Sequence, residues 1–282
     1  MLFTFFESSL MNKNKPENDR LKNQQAALET RLGEELRLNP TKKAFTAAYD
    51  EIHTFFLKEG HQEELYSSDL RWFSKIFLDL IGQSKRVLDI GTGNGKLAIA
   101  LAENQNQVIG IDISGVALEI AAQKLKDAAR ENELDVSFQY GDARSLYFAD
   151  NSFDFAVSHD VIEHISEEDF LVHLREVARV LKPRGRYLFW TPSKLRGGSS
   201  LGLHLKEYSV KDMIDVLHKT EFTYEWIDLR FYKLKLKIGF PQRMLPLVVW
   251  YERILNLFVR FLPNPLKKIL VPPLFFSLTK SR

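Results

Sequence analysis

The chain has 282 residues, 45% of them hydrophobic, enough to bury a sizeable core in one large domain or in a domain with additions. Lys and Arg number 39 against 37 Asp and Glu, and a formal charge of +2 argues against a protein that coats nucleic acid. The absence of cysteine excludes disulfides, thiolate metal sites and a cysteine nucleophile.

In chain order, Met1 to Leu10 lacks a basic segment and its apolar run breaks at Glu7, so no signal peptide is expected. Residues 1–40 read as a polar extension, partly disordered or helical. Leu21, Leu28, Leu32 and Leu36 stand at helical spacing and predict a surface helix that stops near Asn39 and Pro40. Two cap helices are expected within 41–84. One spans Thr41 to Lys58 with Phe45, Tyr49, Ile52 and Phe56 on a stripe; the other spans Leu65 to Ile81 with Leu70, Phe73, Phe77 and Leu80.

From residue 85 to 238 the pattern changes to short apolar runs alternating with helical segments. The runs are Arg86–Ile90, Gln107–Ile113, Val136–Tyr140, Phe153–Ser158 and Gly185–Trp190. Helices are expected over Lys96–Glu103, Val116–Glu131 and Glu167–Leu181. Strands alternating with helices predict a parallel α/β sheet covered on both faces, and right-handed crossovers make it doubly wound. Ser209 caps a further helix to Lys219, and an alternating stretch runs from Phe222 to Tyr232.

The strongest local signal is the run from Val87 to Leu97, in which an apolar strand enters Gly91, Gly93 and Gly95 and a helix follows. Glycines here permit a tight turn and a close approach of backbone to ligand. A pyrophosphate site uses G-x-G-x-x-G; this chain has G-x-G-x-G behind an acid, Asp89, which would repel a pyrophosphate and suit a cationic ligand. The second strand ends at Asp112, placed to take ribose hydroxyls. The third leads to Gly141, Asp142 and Ala143, the fourth to His159 with Asp160, Glu163 and His164 behind it. So many acids at successive strand ends lie on the rim where open α/β sheets bind ligands.

In order, D-I-G-T-G-N-G, G-I-D-I-S, Y-G-D-A, N-S-F-D-F-A-V-S, D-V-I-E-H-I and L-K-P-R-G-R resemble the class I S-adenosylmethionine-dependent methyltransferases, in particular their type 11 small-molecule branch. The resemblance covers about Ser84 to Asp228. It implies a seven-stranded doubly wound sheet of order 3-2-1-4-5-7-6 with strand 7 antiparallel, N-terminal helices, and a helical insertion before the last strand. It implies S-adenosyl-L-methionine as methyl donor. Gly91, Thr92, Gly93 and Gly95 would wrap its methionine part with Asp89 near the ammonium. Asp112 would hold the ribose, Ile113 and Ala143 would border the adenine, Asp142 would accept from the adenine amine, and His159 would lie beside the sulfonium.

Methyl transfer from a sulfonium is chiefly a matter of positioning and exclusion of water, with one proton to remove for O-methylation. His159 and His204 are the candidate bases. If Asp160, Glu163 and His164 were helical they would share a face and could ligate a divalent ion; the resemblance implies a structural role for them, and no metal is expected.

The C-terminal fifth differs in composition. From Arg230 to Arg282 there are eleven basic residues and one acid, Glu252, a net +10, while the other 229 residues carry a net −8. Residues 239–273 read as an apolar, basic helical lid over the pocket, with peripheral contact to an anionic membrane as the alternative; 274–282 is the final strand. The expectation is a cytoplasmic enzyme, peripheral on the inner membrane surface if the alternative holds. It acts on a small hydrophobic acceptor at oxygen, with no nucleic-acid partner. A non-catalytic S-adenosylmethionine-binding protein and an NAD-type oxidoreductase are the alternatives.

Overall fold

The computed structural model of the chain describes residues 15–58, 67–129, 133–196, 202–228, 239–244, 246–251, 254 and 273–281. Three helices come first: α1 (Lys15–Leu38), α2 (Lys42–Lys58) and α3 (Ser67–Ile81). Then strands and helices alternate: β1 (Arg86–Ile90), α4 (Lys96–Glu103), β2 (Gln107–Asp112), α5 (Gly115–Ala128), β3 (Val136–Tyr140), β4 (Phe153–His159), α6 (Glu167–Val180) and β5 (Leu181–Thr191). The chain closes with α7 (Val210–Leu217), β6 (Phe222–Ile227), β7 (Gly239–Pro241) and β8 (Leu274–Lys280).

The strands form one sheet in the order β3-β2-β1-β4-β5-β8-β6-β7. The first five are mutually parallel, and β8 slots antiparallel between β5 and β6. This is the expected order 3-2-1-4-5-7-6, with β8 as the seventh strand. A three-residue strand, β7, is added outside β6, pairing Glu225 with Pro241 and Ile227 with Gly239. Residues 239–241, expected at the start of a helical lid, therefore extend the sheet edge.

Alternation along β1 shows why the sheet needs cover on both faces. Leu88 and Ile90 point into a core with Phe170, Val177, Tyr208 and Met213; Val87 points to the other side, among Phe77, Leu97, Leu101 and Phe275. Strand β5 begins four residues earlier than its apolar run suggested. It carries Pro183 and Gly185 through a register shift against β4, where Arg184 has φ 64°. A bulge accommodates a proline that a regular ladder would not. Helix α7 starts where Ser209 caps it; the Ser209 hydroxyl accepts from Asp212 N–H and the Asp212 carboxylate accepts from Ser209 N–H.

The N-terminal helices are more than an appendage. Leu32 and Leu36 of α1 are 2% and 1% exposed and pack with Phe45, Ile52 and Phe56 of α2 and with Leu203. At the crossing, a Cβ on Gly33 would stand 1.6 Å from the Gly202 carbonyl oxygen, so α1 meets that loop backbone to backbone. The Arg37 guanidinium donates to the carbonyls of Gly202 (2.8 Å) and His204 (3.2 Å). The first helix thus holds the loop that carries a candidate base.

Candidate active site

The site is built on the carboxyl ends of β1, β2 and β4. After Ile90 the chain turns through Gly91 (φ 69°) and reaches α4 through Gly95 (φ 77°), both in the left-handed region. A Cβ on Gly95 would press within 2.7 Å of the Phe138 ring and 2.9 Å of Ala121, so conformation and space both demand glycine. The N–H groups of Gly91 and Thr92 donate to Ile111 O at 2.8 and 2.9 Å and tie the turn to β2.

Two carboxylates are buried beneath this turn. Asp89 is 2% exposed and accepts from the Thr92 hydroxyl at 2.7 Å; burial pushes its carboxyl up to about 7. Asp112 accepts from Gly93 N–H (2.8 Å) and Ser114 N–H (2.9 Å), and burial raises it also. Two buried carboxyls therefore stand at adjacent strand ends, Asp89 with one hydroxyl donor and Asp112 with two backbone donors. That suits a cationic ligand and opposes a pyrophosphate.

Around Asp112 stand groups that sequence reading did not assign. Asp50 of α2 accepts from the Ser114 hydroxyl at 2.7 Å, and His53 of α2, 6% exposed, faces Asp112. Their only signal in the sequence was a polar interruption on the apolar stripe of α2. Asp142, expected to accept from an adenine amine, is already bound by Arg144 at 2.9 Å, and Arg144 also reaches Asp169 at 3.1 Å and lies over the Phe45 ring. Burial opposes ionisation of Asp142, but the guanidinium outweighs it and holds the carboxyl below its ordinary value. Ala143 offers its carbonyl to His173, whose other nitrogen meets the Tyr187 hydroxyl at 2.9 Å, which meets the Ser158 hydroxyl at 2.6 Å. That buried polar chain braces the base of β4. Ile113 is partly buried and packs on one side against the α1–α2 core.

His159 ends β4. Its ring stacks on Trp190 at 4.5 Å and 7° between planes, and its Nδ1 lies 3.2 Å from Asp160. Asp160 takes φ 54°, and only Ile162–His164 is helical, as a single 3-10 turn; Asp160, Glu163 and His164 do not share an α-helical face. Glu163 is fully buried, with Oε2 accepting from the Thr191 hydroxyl at 2.9 Å. Burial, reinforced by the neighbouring Asp160, pushes its carboxyl well above the usual range. Burial and the nearby His204 hold the His164 ring down at about 4. The His204 ring meets that of His164 at 4.9 Å, and its Nδ1 lies 3.1 Å from Glu207. At the opposite, amino edge of the sheet an open depression of about 880 Å³ is lined by Ser84, Lys85, Asp135 and Lys182, away from all of these groups.

Residues 87–185 match the family model described as a methyltransferase domain. An uncharacterized methyltransferase, YcgJ of Bacillus subtilis, is 42% identical over 103 residues, which is 36% of this chain and 39% of that protein. A demethylmenaquinone methyltransferase of Staphylococcus aureus is 33% identical over 141 residues, 49% of this chain and 52% of that one. The chain thus spans about half or less of the curated relatives it matches. Among solved structures, YcgJ superposes with a TM-score of 0.51 at 24% identity over 74% of this chain and 98% of that chain. The 1,6-didemethyltoxoflavin-N1-methyltransferase of Burkholderia thailandensis, solved with its substrate and S-adenosylhomocysteine, gives 0.58 at 16% identity over 86% and 91%. These likenesses carry the fold.

Proposed function

We propose that the protein, whose residues 87–185 match a methyltransferase domain, is a class I S-adenosylmethionine-dependent methyltransferase that methylates a small, hydrophobic acceptor, at oxygen. The observation that carries the reading is the pairing of the glycine turn with two buried acids, Asp89 and Asp112, at adjacent strand ends. S-adenosylmethionine, when bound, supplies a methyl group on a cationic sulfur, with a cationic ammonium and a ribose diol on the same molecule. Asp89 fits the ammonium, because a buried carboxyl raised to about 7 gains most from a positive neighbour. Asp112 fits the diol through the oxygens it now gives to Gly93 and Ser114. With its carboxylate engaged by Arg144, Asp142 orders the loop after β3 and leaves the adenine edge to backbone groups.

His159 is the proton acceptor of this reading. The Asp160 carboxylate accepts a hydrogen bond from Nδ1–H, which leaves Nε2 as the nitrogen with a lone pair, and stacking on Trp190 fixes the ring plane. Calorimetry of the full chain with S-adenosylhomocysteine tests the reading. One site per chain, lost in Asp112→Ala, supports it; no binding by the folded protein rejects it.

The C-terminal segment supports a contact with an anionic membrane surface as well as a lid. Residues 246–251 are helical, and Val248 anchors them in the main core at 6% exposed. Leu247 (65%), Trp250 (63%), Tyr251 and Ile254 face outward, beside exposed Arg243 and within the stretch of net +10. Apolar and aromatic side chains amid positive charge are the makings of an interfacial anchor. No helix among the described residues is long and apolar enough to cross a membrane.

A further inference from the structure

We propose that Glu163, His164 and His204 form a binding site for a divalent first-row transition cation at the carboxyl edge of the sheet, with Asp160 at its mouth. One ring nitrogen of each histidine and one oxygen of Glu163 lie within 4.8 Å of one another. Ligand atoms about 2.1 Å from a shared ion stand roughly 3–4 Å apart, so small side-chain rotations close the site.

The hydrogen bonds behind the two imidazoles leave their electron pairs, not their protons, for the cluster. His164 Nδ1 lies 3.4 Å from the Leu203 carbonyl, an acceptor, so Nδ1 carries the hydrogen and Nε2 the lone pair. That Nε2 looks at Glu163 Oε1 across 3.9 Å, one acceptor facing another. His204 Nδ1 lies 3.1 Å from the Glu207 carboxylate, which fixes the tautomer in the same sense. A carboxylate or a carbonyl behind each imidazole is the arrangement by which proteins orient metal-binding histidines. Glu163 is 0% exposed, and its Oε1 has no N–H or hydroxyl donor among the described residues; the group beside its carboxyl is that of Asp160. A buried carboxyl without a donor is costly to ionise, and a cation at the centre of the cluster would take the place of its proton and remove that cost. The frame is rigid: Glu163 O accepts from Leu205 N–H and Lys206 N–H, and Arg37 of α1 holds the carbonyls of Gly202 and His204.

Two imidazoles and a carboxylate suit Mn²⁺, Fe²⁺, Co²⁺ or Zn²⁺ better than Mg²⁺, and leave up to three positions of an octahedron open. The open side is that of Asp160, whose side chain is 41% exposed and lies next to His159. An acceptor oxygen bound there would be polarised beside the candidate base, which rests on the methyl-transfer reading and favours oxygen over nitrogen as the atom methylated. The sequence had offered Asp160, Glu163 and His164 as a ligand set and expected no metal; His204 joins Glu163 and His164 from forty residues downstream of His164.

The test uses the full chain stripped with chelator and titrated with Mn²⁺ while the free-ion electron paramagnetic resonance signal is followed, with Mg²⁺ titrated in competition. The expected result is one Mn²⁺ per chain, weakened at least 10-fold in His204→Ala and in Glu163→Gln, and about 10–100-fold in Glu207→Gln. Melting curves and S-adenosylhomocysteine binding establish that each variant is folded. Unchanged free-ion signal with folded wild-type chain, or equal affinity in folded His204→Ala, overturns the proposal and leaves Glu163 and Asp160 as a carboxyl pair sharing a proton. S-adenosylhomocysteine binding without Mn²⁺ binding sinks the metal site alone; Mn²⁺ binding without S-adenosylhomocysteine binding sinks the methyl-transfer reading alone.

Discussion

Replacing Asp89 by asparagine separates the demands of binding from those of stability. In the folded chain Asp89 has its carboxyl raised from 3.8 to about 7, chiefly by burial, with the Thr92 hydroxyl as its one strong donor. Between those two values the folded state holds a proton that the unfolded chain has released. Stability therefore falls as pH rises from about 4 to about 7 and is level above it. A shift of about three units corresponds to a ceiling of about 4 kcal/mol. The amide introduced by Asp89→Asn carries no charge at any pH and keeps an oxygen for Thr92. The variant is expected to be more stable than the parent by about 2–4 kcal/mol at pH 8, with the difference vanishing near pH 4. The same substitution removes the partner of the ligand ammonium. S-adenosylhomocysteine binding to the parent is expected to strengthen between pH 5.5 and 8 as Asp89 ionises, and in the variant to be at least 10-fold weaker at pH 8 with that pH dependence gone. Urea denaturation across pH, and calorimetry at the same pH values, read both effects. A variant that is less stable than the parent at pH 8, or that binds as tightly, refutes the reasoning.

Gly33→Val drives a side chain into the Gly202 backbone; a loss of about 1–3 kcal/mol in urea denaturation is expected, together with weaker Mn²⁺ binding because the His204 loop is displaced. Tyr187→Phe strands the Ser158 hydroxyl and His173 Nε2 in the core and should cost about 1–3 kcal/mol while leaving S-adenosylhomocysteine affinity within twofold. Leu247→Asp with Trp250→Asp is expected to abolish flotation with anionic vesicles without lowering the melting temperature, since both side chains are exposed; flotation equal to the parent would reject the membrane contact.

The sheet was legible because its signals are local. A five-residue apolar run can be buried on both faces only as an inner strand, and positive φ at Gly91 and Gly95 belongs to a turn that other residues resist. Asp89, Asp112 and His159 follow, since a residue at the end of a parallel strand has its place set by the strand. Legibility failed where neighbours come from elsewhere in the chain. Arg144 neutralises Asp142 two residues away, yet it does so through a geometry completed by Asp169 and the ring of Phe45. Spacing alone allowed Asp160 to share a helical face with Glu163 and His164 if the stretch were helical, and the backbone passes instead through φ 54°. The polar-looking helix of residues 15–38 buries Leu32 and Leu36 only because α2 and the Leu203 loop lie against it.

By itself, then, the sequence determined the alternation of strands and helices, the glycine turn, the acids at the strand ends and the division between an acidic body and a basic C-terminal fifth. Each depends on periodicity or composition within a few residues. Tertiary structure alone decided that His204 joins Glu163 and His164, and that α1 pins the loop carrying it. It also decided that residues 239–241 extend the sheet. Those outcomes depend on which distant surfaces must be buried together, and the cost of burying a backbone amide without a partner or of leaving a leucine in water is settled only when the whole chain has packed.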